Sequence, residues 1–141
     1  MVNYIYPTED DFRLFVKILQ EGEYTINKYL PAISEDWFKS VSECTEYVRQ
    51  TSSYTQHTFH EECARILYKV TKKHELADSN KRSALMSVIL FCLVNDYRVE
   101  NPDELKRQAQ RIARTKGRNN EDVVRARVAE CLADFILPSQ K

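Results

Sequence analysis

Apolar residues recur at three- and four-residue intervals along most of the chain, and that spacing predicts a series of amphipathic helices. Pro7 and Thr8 open the first, with Glu9, Asp10 and Asp11 in its first turn. Phe12, Phe15, Val16 and Leu19 form its apolar stripe, and Gly22 closes it. The pattern breaks between Tyr24 and Ile33, where Pro31 opposes a continuous helix, so this stretch reads as a loop. Ser34 begins a second helix carrying Trp37, Phe38, Val41, Cys44 and Val48. Gln50 to Thr58 has no helical pattern and reads either as an extended flap, with Tyr54 and His57 prominent, or as a solvated loop. Thr58 caps a third helix with the stripe Phe59, Cys63, Ile66, Leu67 and Val70, and Lys72 and Lys73 suit its C-terminal end.

The next segment is different. From Ala84 to Val94 only Ser87 is polar, and apolar residues fall on every side of the helical projection. Such a helix is buried all round, so the others must wrap it. Tyr97, Arg98 and Val99 lead out of it, and Asn101, Pro102, Asp103 and Glu104 open another helix. Leu105, Ala109, Ile112 and Ala113 make that helix's buried face. Arg107, Arg111, Arg114 and Arg118 make a basic stripe if it persists through Gly117, either a solvated face or a seat for an acidic regulator. Asn120 caps a final helix with Val124, Val128, Cys131, Leu132 and Phe135, ahead of Pro138 and a short tail.

Composition supports one all-α domain over residues 1–141, a compact helical bundle around a central buried helix. The chain has 141 residues, 43% hydrophobic, with only 2 Gly and 4 Pro to interrupt it. Charge is balanced overall but unevenly placed. Residues 1–62 hold 5 Lys/Arg against 11 Asp/Glu and residues 63–141 hold 16 against 10, so an acidic or phosphorylated partner favours the second part. A pI near 6.8 argues against direct nucleic-acid binding. Cys44, Cys63, Cys92 and Cys131 lack metal-ligand spacing and read as free thiols of a reducing cytoplasm. The apolar run at 84–94 is far short of the roughly 20 residues that span a bilayer, so no membrane association is expected.

Chemistry concentrates at the start of the buried helix. Asp78, Ser79 and Asn80 are all good N-caps, and Lys81 and Arg82 then fall in the first turn, where the helix dipole disfavours cations. A bound anion removes that conflict, since free N–H groups, the dipole and both cations converge on it. His74, a potential base, and Asp78, a hard oxygen ligand, lie on the same short loop. Each residue alone reads as an ordinary capped helix or surface side chain; the set together favours function.

His74-Glu75-Leu76-Ala77-Asp78-Ser79-Asn80-Lys81-Arg82 resembles the H-x-F-x-D-x-N-K-R signature of the Fic/Doc family, on its death-on-curing (Doc) branch. The likeness continues through Ser83-Ala84-Leu85 to Val94-Asn95-Asp96-Tyr97, and more weakly upstream into the helix Cys63 to Lys73. Leu76 replaces the motif's phenylalanine and Ser79 a glycine or alanine. The AMP-transferring Fic branch has glycine at the place of Lys81 and an arginine at that of Leu85, so both departures point to Doc. The resemblance implies phosphoryl transfer from ATP to a Ser or Thr hydroxyl of a target protein. His74 would be the general base, Asp78 the Mg²⁺ ligand, and Ser79, Asn80, Lys81 and Arg82 the phosphate-binding set. Tyr54 and Thr55 would lie in a short β-hairpin flap that aligns the target's main chain. It further implies a toxin that inhibits translation by acting on elongation factor Tu, held in check by a separate small antitoxin protein. The alternatives are a Fic-type AMP transferase and a catalytically silent protein-binding module.

Overall fold

The computed structural model describes residues 3–52, 57–73, 80–115 and 121–139. Their six α-helices are α1 (Glu9–Glu21), α2 (Glu35–Ser52), α3 (Phe59–Thr71), α4 (Asn80–Val94), α5 (Pro102–Arg114) and α6 (Glu121–Leu132). A 3-10 turn (Thr25–Tyr29) and two short strands, β1 (Tyr97–Val99) and β2 (Ile136–Pro138), complete them. The fold is mostly helical, as the periodicity predicts, and no described helix is long and apolar enough to cross a membrane.

Helix starts follow local chemistry. Thr8 and Thr58 each accept the N–H three residues on, and Asp11 and Glu61 reach back to the cap backbone, completing two capping boxes. Asn101 caps α5 directly before Pro102. At the other end of α1, a Cβ on Gly22 would overlap the ring of Tyr24.

The capping box at Thr58 carries a pH signature. The Thr58 backbone N–H, donating to Glu61 at 2.8 Å, holds the Glu61 carboxyl below its ordinary value of 4.5 against the opposing effect of burial. A depressed carboxylate stabilises the fold above its unfolded value, and that contribution is lost as pH falls through the lower folded value. Glu61→Gln should therefore melt below the parent at neutral pH, and the gap should shrink as the pH falls below the ordinary carboxyl value of 4.5. A gap that persists in acid would show that the carboxylate's charge is not its source.

Around α4 the packing is nearly complete: Ser83 to Cys92 are all buried, with α3 and α5 in contact along it, and the expected all-round burial fails at its last turn, where Leu93 is 53% exposed. Phe59 stacks between Phe91 and Tyr97, and Tyr4 meets both Phe59 and Phe91 edge-on. Asn95 fixes the N-terminal segment there, since its side chain accepts from the Ile5 N–H and donates to the Ile5 carbonyl, both at 2.8 Å. Asp96 turns the chain out of α4 in the left-handed region, φ 61°, which a short polar side chain tolerates.

Several elements depart from the sequence reading. The second helix runs through Gln50 to Ser52 because Arg65 donates to Thr51 and the Tyr6 hydroxyl oxygen lies 3.4 Å from Ser52 Oγ, giving an intrinsically weak last turn tertiary partners. The loop after Gly22 contains the 3-10 turn, seated by Asn27, whose amide donates to the Leu19 and Gly22 carbonyls. On α5 the buried polar position is Gln108, while Ala113 is exposed. The exit from α4 and the C-terminal segment pair antiparallel, Arg98 opposite Leu137. The suggested flap residues Tyr54 and Thr55 lie outside the described residues, as do Asn120, Gly117 and Arg118.

Candidate functional site

The first turn of α4 is the meeting point of four elements. Trp37 of α2 donates its indole N–H to Ser83 Oγ at 2.8 Å, and Ser87 Oγ donates to the Ser83 carbonyl. Buried Trp and Ser thereby satisfy each other and fix the start of α4 against α2. At the end of α3, the Lys72 ammonium donates to the Thr115 carbonyl past α5 at 2.6 Å, and Lys73 pairs with Glu43 of α2 at 3.3 Å. Asn80, the first residue of α4, donates its amide to the Thr71 carbonyl at 2.9 Å and to the Lys73 carbonyl at 2.5 Å. The points where the His74 loop leaves α3 and enters α4 are thus fastened to the bundle.

Electrostatically this turn is unusual for its position. It contains no acidic residue, Lys81 and Arg82 are exposed, and Ser83 to Cys92 are buried in the core. Two cations therefore stand in solvent at the positive end of a fifteen-residue helix. Leu85, where the AMP-transferring branch carries an arginine, is wholly buried. Of the sequence-derived site residues, Asn80, Lys81 and Arg82 come together here, while His74, Asp78 and Ser79 lie outside the described residues. The described residues hold no cluster of three His, Cys, Asp or Glu suited to a metal ion.

Ser52 and His57, described residues within the suggested Gln50–Thr58 flap, stand at the opposite end of α3. At 1.5 Å per residue its 13 residues separate them from Lys73 by about 20 Å along the axis. The end of α3 near His57 carries chemistry that its sequence does not announce. Glu62 is only 1% exposed; it accepts from the Tyr6 hydroxyl and from Arg65 at 2.7 Å, with His57 Nδ1 at 3.5 Å. Burial, and then this bond to Glu62, push the Tyr6 hydroxyl well above its ordinary value. Beside it a cavity of about 160 Å³ is lined by His57, Glu61, Arg65, Asp122, Arg125 and Ala126. Its guanidiniums are already paired, Arg65 with Glu62 and Arg125 with Asp122 and Glu121, and with Glu61 the acids outnumber them, so neither is left for an anionic ligand.

Neither protein-family models, curated proteins nor solved structures give a match to this chain.

Proposed function

We propose that the protein is a Doc-like phosphotransferase that moves the γ-phosphoryl group of ATP to a Ser or Thr hydroxyl of a target protein. The carrying observation is the His74 to Arg82 run leading into a buried helix whose first turn exposes Lys81 and Arg82 to solvent. In this reading His74 takes the proton from the acceptor hydroxyl as its oxygen bonds to the γ-phosphorus and the bond to the β–γ bridging oxygen breaks, releasing ADP. Arg82 holds phosphate oxygens through its planar fork, Lys81 adds a point charge, and the backbone N–H groups of Ser79 and Asn80 complete the cradle. Around position 78 the donors are oxygens, those of Asp78 and Ser79, which fit a hard ion such as Mg²⁺. Asp78 would hold that ion, which would neutralise phosphate charge. By resemblance the target is elongation factor Tu and the regulator a small antitoxin protein.

Mass spectrometry of a cell lysate incubated with the protein and ATP tests this reading. A phosphate adduct supports it, an AMP adduct points to the Fic-type reaction, and no adduct points to a silent binding module. Lys81 decides between the first two, because a side chain in place of glycine fills space beside the helix start and adds charge there. With a purified target and ATP labelled separately at the α- and γ-phosphates, the parent should transfer γ label only. Lys81→Gly should lose about tenfold or more of that transfer, the scale of one charged hydrogen-bonding partner. Transfer of α label by the parent would overturn the kinase reading.

A further inference from the structure

We propose that the Asn80 side chain is a positioning residue, fastening the two ends of the 74–79 segment, and does not itself contact phosphate. The inference deepens the phosphotransferase reading and rests on it for its catalytic half. A carboxamide nitrogen has two hydrogens, and the two bonds to Thr71 and Lys73 use both. The amide's orientation is fixed by its neighbours, because the flipped form would set Oδ1 against two carbonyl oxygens. Only Oδ1 remains, an acceptor that is buried and without a partner among the described residues, and an ionised phosphate oxygen has no hydrogen to give it.

The bonded carbonyls belong to the end of α3, where a helix leaves its last carbonyls without intrahelical donors. Asn80 supplies them from the first residue of the next helix. One side chain thus caps α3 and fixes the separation between the points where the chain leaves at Lys73 and returns, seven residues later. Any group carried between those points inherits that geometry, and small misplacements of reacting groups cost large factors in rate.

Two variants of the full-length chain test this. Asn80→Ala removes both donors, and Asn80→Asp keeps the shape while replacing donors with acceptors. Without nucleotide, amide hydrogen exchange at residues 71–73 should quicken in both by about tenfold or more, as expected for losing two bonds. Exchange at the parental rate in either variant would overturn the inference. With Mg-ATP, Asn80→Ala should bind within about threefold of the parent yet turn over at least about tenfold more slowly. Binding weakened about tenfold with exchange unchanged would make the side chain a phosphate ligand and overturn the proposal. A parent that binds no Mg-ATP would refute the phosphotransferase reading instead, and exchange alone would then decide the role of Asn80.

Discussion

His74→Ala should transfer phosphate about 10²- to 10⁴-fold more slowly than the parent while melting at nearly the same temperature. The reason is positional. Phosphoryl transfer to a Ser or Thr hydroxyl needs that proton removed as the oxygen attacks, and an imidazole titrates near neutrality, so it accepts the proton at cellular pH. His74 follows directly on Lys73, whose position is set by the Asn80 amide and the pairing with Glu43, so the base would start from a fastened point. The described core residues of α3 end at Thr71 and those of α4 begin at Ser83. Single-turnover transfer of γ label to a purified target, paired with thermal melts, separates the two effects. Parental transfer by a folded His74→Ala protein would remove the histidine from the mechanism. A parent whose rate falls as pH drops through the ordinary histidine range, with no such fall in the residual rate of the variant, would support it.

The second large effect is on stability, at the opposite end of α3. Glu62→Ala should destabilise the protein by about 3–5 kcal/mol, the range for removing one partner of a buried ion pair. Glu62 is 1% exposed and the Arg65 side chain 12%, so without the carboxylate a guanidinium is left nearly dry without its counter-ion, and the Tyr6 hydroxyl keeps the longer contact with Ser52 in place of its bond to Glu62. Arg65 also donates to Thr51, so its displacement would loosen the last turn of α2. Urea unfolding should show the whole difference in the midpoint. Glu62→Gln, which keeps an acceptor for Tyr6, should lose less. Glu46→Ala is the control: its bond to Arg49 is geometrically similar, but both side chains are about half exposed, and exposed pairs contribute about 0–1 kcal/mol. Equal losses at positions 46 and 62 would mean that burial of Glu62 has no energetic consequence.

The contrast between those two glutamates marks the division between local and tertiary information. Both pairs are an i,i+3 arrangement on a helix, Glu46 with Arg49 and Glu62 with Arg65, and the letters make them equivalent. Only the arrival of Tyr6 from the N-terminal segment and Thr51 from α2 buries one and leaves the other in water. The sequence by itself determined what depends on neighbours within about four positions: the caps at Thr8, Thr58 and Asn101, the apolar stripes of α1 and α3, and the all-round burial of α4 from Ser83 to Cys92. It also placed Lys81 and Arg82 at a helix start, since cap and cation are adjacent in the chain. Tertiary structure decided the pairing of Tyr97–Val99 with Ile136–Pro138, because a three-residue strand has too little pattern to specify a partner about forty residues away. It likewise turned Asn80 toward α3, because unpaired carbonyls at one helix end attract whichever donor the fold brings near, and that choice lies beyond the reach of local spacing.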